Sequence, residues 1–301
     1  MPTTRSDFSG PGDLRAMQAM CSRVWSPNAR FHPGQLAWNR YSQPVDPSRP
    51  GPGEAISLWR VDGEVAGFAW AEAPDWLELQ LDPRHPGTAS TVSTEIIEWF
   101  EDWSDAPRQS ALVMEGDLSE PVLEEAGFRP EPDAWHFTHH LLHLSELPPV
   151  PHVPGYSLRP VGPHEADARA EVHRAAWSDV GPSRVTTHAY EQVCHAWPYR
   201  RDLDWVAADA AGHLVASVIV WLDDATGVAL VEPVGCVPPH RGRGLAGAVT
   251  LAALHRARAL GAHTGLVSPR GDADHPGPRR LYQRLGFRPV ARTVTWTRSM
   301  D

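Results

Sequence analysis

Apolar positions along the chain alternate between two spacings, period two in short runs and period near 3.6 in longer ones. Asp13–Trp25 keeps its apolar residues on one helical face and predicts an amphipathic helix. Ile56–Val61 and Val65–Trp70 read as strands joined at Asp62-Gly63, a dipeptide that suits a tight hairpin turn. Trp76–Leu81 alternates as a strand does, Thr91–Trp103 is helical, and Ser110–Met114 is strand-like. Ser119–Ala126 predicts a short helix ending at Gly127-Phe128. Residues 1–12 are polar with Gly and Pro and are expected to form a loose tail, and 43–53 is a loop by composition. Residues 145–155 carry several prolines, which fix φ and remove donors, so a stiff connector is expected there.

Beyond the connector the pattern starts again. Tyr156–Val161 is a strand and Glu165–Trp177 a helix echoing the one that ends at Trp25. Trp205–Asp209 and Leu214–Trp221, turning at Gly212, echo the hairpin around Gly63. Val228–Val237 is an apolar strand, and Leu245–Leu260 a helix capped by Gly261. Glu125-Ala-Gly-Phe-Arg-Pro130 and Arg284-Leu-Gly-Phe-Arg-Pro289 share the run Gly-Phe-Arg-Pro. Element order and this shared tetrapeptide predict one α/β unit used twice, residues 1–144 and 156–301, linked by 145–155.

Composition narrows the partners. Residues 1–150 hold 10 Arg against 23 acids, and residues 151–301 hold 17 Arg against 14 acids, for the overall charge of −10. A polyanionic small ligand is therefore better received by the second half, and nucleic acid is disfavoured overall. No apolar run approaches the ~20 residues of a membrane span, and the first ten residues lack the apolar core of a secretion signal. Three scattered cysteines, Cys21, Cys194 and Cys236, point to a reducing cytoplasm.

The candidate chemistry centres on Val237–Ala246, V-P-P-H-R-G-R-G-L-A, between the apolar strand and the helix. Gly242 and Gly244 permit a tight turn and a close approach of ligand to backbone N–H groups. The helix N-terminus leaves unpaired N–H groups, and Arg241 and Arg243 add positive charge, so the turn suits a pyrophosphate-like anion. The chain has no Lys for a P-loop, and no acidic residue follows at the spacing of a dinucleotide fold. What does fit is R-x-x-G-x-A, formed by Arg241, Gly244 and Ala246 and preceded by Val237 and Pro239. With Arg280-Leu-Tyr-Gln-Arg-Leu-Gly-Phe287 downstream, it resembles the acetyl-coenzyme A signature of the GNAT superfamily of N-acetyltransferases.

That resemblance implies two tandem GNAT-like domains of α/β (α+β) class, each a mixed central sheet flanked by helices. The layout is similar to that of tandem-GNAT proteins such as mycothiol synthase, in architecture and not by activity. It implies acetyl-coenzyme A as cosubstrate, with Gly235, Cys236 and Val237 beside the pantetheine and Arg241, Gly242, Arg243, Gly244, Leu245 and Ala246 at the pyrophosphate. His275 stands where the family often has a cofactor-contacting Asn. Tyr282 takes the place of the family's acid near the thioester sulfur. Independently of the resemblance, Pro233 and Gly235 mark a bulge or close approach in the strand. Glu232 is the lone carboxylate in that apolar strand, which makes it the candidate base.

In the first half, aligned on the strand exit, His85 stands for Arg241, Thr88 for Gly244 and Leu123 for Tyr282. The first half is therefore expected to be catalytically silent. The histidines of Trp135–His143 would share a helical face, yet the repeat places them on a strand, where His136 and His140 point opposite to His139 and His143, so no metal site is expected. The expectation is acetyl transfer to a primary amine of a small molecule or peptide by direct attack. Its rivals are a non-catalytic acyl-coenzyme A sensor and a nucleotide-dependent transferase, which would need a metal-binding carboxylate near the turn. No membrane partner is expected, and monomer and homodimer are both open.

Overall fold

The computed structural model describes residues 2–42, 56–73, 75–84, 86–179, 181, 183–271 and 276–300. The loop expected at 43–53 lies outside them. The first half contributes strands β1 (Thr4–Asp7), β2 (Ile56–Val61), β3 (Glu64–Ala73), β4 (Trp76–Leu81), β5 (Arg108–Met114), β6 (Arg129–Glu131) and β7 (Thr138–His143). Its helices are α1 (Pro11–Arg23), α2 (Pro33–Ser42), α3 (Pro86–Trp103) and α4 (Glu120–Glu125). The second half supplies β8 (Ser157–Pro160), β9 (Asp204–Ala208), β10 (Leu214–Asp223), β11 (Val228–Cys236), β12 (Thr264–Val267) and β13 (Arg288–Ser299). Its helices are α5 (Ala166–Trp177), α6 (Thr187–His195), α7 (Leu245–Ala259) and α8 (Pro276–Arg284).

These strands join in one mixed sheet ordered β1-β2-β3-β4-β5-β13-β7-β12-β11-β10-β9-β8, with β6 also on β13. The α/β class and the doubled layout therefore hold. The expected loose tail does not, because Thr4–Asp7 pairs antiparallel with β2. All four of its residues are exposed, so this edge strand is held by backbone pairing and by polar side-chain bonds from Ser57 to Asp7 and Arg60 to Ser6, with no apolar alternation to betray it. The turn at Asp62-Gly63 has positive φ at both residues, 51° and 84°, the backbone that right-twisted hairpins favour.

Helices cover both faces. In the first half α3 packs its Val92, Ile96 and Phe100 on one face, and α1 packs Leu14, Met17 and Met20 on the other. In the second half α7 covers one face, its Val249, Ala253 and Leu254 fully buried. The opposite face is covered jointly by α5, α6 and, from the first half, α2. Gly34 of α2 lies so close to Trp221 of β10 that a Cβ there would meet the Trp221 Cβ at 2.2 Å. The missing side chain lets the first half's helix settle against the second half's sheet. Neither α2 nor α6 stood out in the hydrophobic pattern. Both are short, and the buried face of α2 includes Pro33, Gly34 and Gln35 beside its apolar residues.

The two halves are joined through their last strands. β7 lies between β12 and β13 and is antiparallel to both. β13 pairs with β7 through Arg288–Arg292 and then with β5 through Thr293–Ser299. The hexapeptides of the repeat take the same conformation. Gly127 and Gly286 have φ of 86° and 98°, and Phe128 and Phe287 are buried.

Candidate active site

Strand β11 runs parallel to β12 for three residue pairs only, Val228↔Thr264, Ala229↔Gly265 and Leu230↔Leu266. Among the described residues, the edge of β11 that faced β12 has no strand partner beyond Leu230. On its other edge β11 stays with β10, but the register slips between Val218 and Val220, opposite Glu232-Pro233. This is the bulge that Pro233 foreshadowed, since proline cannot donate to a ladder. The Trp221 indole fills in by donating to the Glu232 carbonyl at 2.6 Å.

The opening so created is a cleft of about 790 Å³. Its walls include Glu232, Gly235, Cys236, Arg241, Ala246 and Tyr282, six of the residues singled out from sequence. A second cavity of about 470 Å³ lies over the glycine turn, bounded by Arg241, Gly242, Gly244, Leu245, Ala246, Arg280 and Arg284. Cys236, Arg241, Ala246, Gly277 and Leu281 belong to both, so the two spaces adjoin.

At the turn, Gly242 and Gly244 have φ of 77° and 83°, left-handed backbone that glycine adopts without strain. Gly244 is the N-cap of α7, and Ala248 N–H donates to its carbonyl at 2.9 Å. The amides of Leu245, Ala246 and Gly247 therefore have no acceptor within the helix. A Cβ on Gly242 or Gly244 would meet nothing within 4 Å, so the space over the turn is open. Open amides at a helix N-terminus with Arg280 and Arg284 alongside suit a pyrophosphate. Arg243 is exposed on the same turn. Val237 is half-buried, its N–H donating to the Val215 carbonyl at 2.9 Å. His275 lies outside the described residues.

Arg241 borders both spaces with its guanidinium already engaged by protein groups. Its guanidinium forms a two-pronged pair with Asp179, at 2.6 and 2.9 Å. It also donates to the carbonyls of Ala176 (2.8 Å) and Cys236 (3.0 Å). Arg241 thus fastens the C-terminal end of α5 to the exit of β11. Asp179 sits in the short stretch after α5, where no sequence spacing relates it to the motif.

Glu232 is enclosed enough that burial raises its carboxyl to about 7. The Arg30 guanidinium counteracts this, and the Glu78 carboxylate adds to it. Arg30 and Glu78 are themselves a buried ion pair from the first half. The phenol of Tyr282 is raised above its ordinary value, first by burial and then by the negative charge of Glu232. Glu232 and Tyr282 thus line one cleft and feel one another. Burial also raises the Cys236 thiol, which disfavours a nucleophilic thiolate there.

Other walls come from residues that carried no motif. His173 stacks under Trp177 at 4.5 Å between ring centroids, and Trp38 of α2 meets His173 edge-on at 5.3 Å. Phe137, just before β7, completes this aromatic side. Trp177 lies against Gly235, where a Cβ would meet the indole at 2.4 Å and the Ala176 methyl at 2.7 Å. Trp221, by contrast, is fully buried.

The corresponding place in the first half is built differently. β4 and β5 likewise pair for three residues, Trp76↔Ser110 to Glu78↔Leu112. There the chain's own segment bridges the divergence. The Gln80 amide oxygen accepts from the N–H groups of Arg30 (2.8 Å) and Phe31 (3.3 Å), and Asn28 donates to the Glu115 carbonyl at 3.3 Å. The loop from β4 to α3 is also short, Leu81 to Pro86 against Cys236 to Leu245 in the second half. In the strand Thr138–His143, His139 and His140 are buried, with their Nδ1 atoms on the carbonyls of Pro27 (3.1 Å) and Thr138 (2.9 Å).

Residues 169–287 match the acetyltransferase (GNAT) family. Among solved structures, the chain is similar to a GCN5-related N-acetyltransferase from Sphaerobacter thermophilus, with a TM-score of 0.62 and 21% identity over 99% of this chain and 95% of that one. It is equally similar to a tandem GNAT protein from the clavulanic acid biosynthesis pathway, solved without acetyl-coenzyme A (TM-score 0.62, 19% identity, 99% and 98% coverage). A GNAT-family acetyltransferase from Colwellia psychrerythraea gives 0.63 at 15% identity, over 98% and 99% of the two chains. At these identities the likeness is one of fold. No curated protein sequence matches the chain.

Proposed function

We propose that this chain is a tandem GNAT protein whose second half carries an acetyltransferase unit, and that it moves an acetyl group from acetyl-coenzyme A to a primary amine by direct attack. The observation that carries this reading is the adjacency of the two cavities, one over the open amides of α7 and one lined by Glu232 and Tyr282. A coenzyme A molecule would place its pyrophosphate on the turn Gly242–Ala246 and its pantetheine along the unpartnered edge of β11 through Gly235 and Cys236. The bound thioester supplies the activated acyl carbon.

The chain's residues divide the proton work. Glu232, held near neutrality, takes the proton that the attacking amine sheds as the C–N bond forms. Tyr282 keeps its proton, because its phenol is raised rather than lowered. Full transfer to a thiolate, whose thiol titrates near ~8.5, would then be uphill. The phenol therefore donates a hydrogen bond to the departing sulfur as the C–S bond breaks. Backbone N–H groups on the open strand edge are the available donors to the acyl oxygen. The Cys236 thiol takes no part, which favours direct transfer over a covalent acyl-enzyme. The first half, its divergence bridged by residues 28–31, is proposed to bind no coenzyme A.

The test is turnover of acetyl-coenzyme A with a panel of primary amines, followed by thiol release. Glu232→Gln is expected to lower kcat/KM by about 100-fold or more, the range of general-base effects. Turnover at the wild-type rate in Glu232→Gln would remove Glu232 from this role.

A further inference from the structure

The aromatic side of the cleft is not needed for acetyl transfer as such, and two of its four rings come from the half that carries no motif. Trp38 reaches it on α2, and Phe137 from the approach to β7. The other two, His173 and Trp177, lie one helical turn apart on α5 and stack at 4.5 Å with 28° between planes. Burial, followed by Arg169 and Arg174, holds the His173 imidazole down to about 3, so the ring packs uncharged. Trp177 and Phe137 are only half-buried, which leaves ring surface toward the cleft. Gly235 gives the Trp177 indole room to lie on β11 near Glu232. Among the described lining residues Glu232 is the sole carboxylate, beside Arg241 and Arg270. A polycationic chain would find one anionic anchor there, whereas a single ammonium on a flat apolar body finds an anchor and a wall.

We propose that the acceptor is a primary amine carried on a planar aromatic or heteroaromatic body, held against Trp177, Trp38 and Phe137 with its amine toward Glu232. This rests on the transferase reading for the role of the amine, but the recognition itself is a binding property. His173 acts as a positioning residue that keeps the Trp177 indole flat. A planar ring gains offset-stacked or edge-on contacts with these aromatics beyond the area it buries.

The experiment titrates the full-length protein, alone and saturated with coenzyme A, with two probes of equal carbon count: 2-phenylethylamine and 2-cyclohexylethylamine. The saturated ring is the more hydrophobic, so burial alone would favour it. The expected result is a Kd about threefold to tenfold lower for the phenyl compound, the range that aromatic pairing supports. In Trp177→Leu, which keeps an apolar side chain, that ratio is expected to fall to about one. Equal affinity, or preference for the cyclohexyl compound, in the wild-type protein would overturn the proposal whatever the variant does. The coenzyme A titration stands apart: no coenzyme A binding would defeat the transferase reading, while the amine ratio would still decide this one.

Discussion

A carboxyl group on β11, enclosed by protein, drawn toward ionisation by Arg30 and away from it by Glu78, titrates near pH 7. In the proposed role Glu232 works in its ionised form, so kcat/KM is expected to rise as pH climbs through about 7, on a limb absent from Glu232→Gln. A pH–rate profile checks this, and a limb below pH 5 would contradict it. Linkage gives the same residue a second consequence. Its folded value lies above the ordinary 4.5, so the native state holds the proton more tightly than the unfolded chain. The stability this confers is present below about 4.5 and is lost as pH rises through 7. At pH 8, Glu232→Gln is therefore expected to be more stable than the wild type, by on the order of 2 kcal/mol, while less active. Denaturant melts at pH 8 read this directly. The residue was legible because an isolated charge in an apolar strand has to be accounted for. Its neighbours were not. Glu78 and Gln80 sit in a cleanly alternating strand and read as a solvent face, yet both are buried under the segment that carries Arg30.

Between β11 and α7 the motif works through backbone, and Arg241 through its grip on α5. Arg241→Ala loses a partly exposed pair with Asp179, worth no more than about 1 kcal/mol of stability. Coenzyme A affinity is expected to fall about tenfold as the turn loosens, so calorimetry should separate a large binding effect from a small melting shift. Gly235→Ala tests the other side of the strand. Its methyl would run into Trp177 and Ala176, costing about 1–3 kcal/mol and disturbing the acceptor wall. A fully stable, unaltered variant would show that the indole does not lie where described. Turn, strand and helix were readable here because glycine, proline and apolar spacing leave local signatures. The Asp179 partner was not, since an ion pair between distant segments has no spacing to detect. The edge strand Thr4–Asp7 escaped for a related reason: it is held by backbone pairing and polar contacts to distant residues, and buries no apolar side chain.

Across the whole molecule, the exchange of β7 and β13 makes the two halves one sheet. The repeat was visible in the shared Gly-Phe-Arg-Pro, but which sheet each last strand enters depends on long-range pairing that local pattern does not encode. The second half alone would lack β7 between β12 and β13, as well as α2 over Trp221. Residues 156–301 expressed separately are thus expected to be insoluble or unfolded by circular dichroism. Acid stability is also a property of the whole chain. Burial holds His139 down to about 4 and His173 to about 3, and lowers His32 as well. Unfolded histidines take up protons near ~6.5 and these do not, so stability is lost as pH falls below 6.5. The His140 imidazole is lowered in the same way, and Glu232 acts in the opposite sense between 7 and 4.5, one carboxyl against four imidazoles. The net expectation is a Tm that drops by several degrees from pH 7 to pH 5 in scanning calorimetry.

The claim on which all of this rests is that one of the two similar halves binds acetyl-coenzyme A. Isothermal titration of the full-length protein with acetyl-coenzyme A measures it most directly. The account predicts one site per chain, retained in Tyr282→Phe and weakened in Arg241→Ala. Two sites per chain would contradict the bridged first half, and no binding at all would contradict the reading of the turn at Gly242–Ala246.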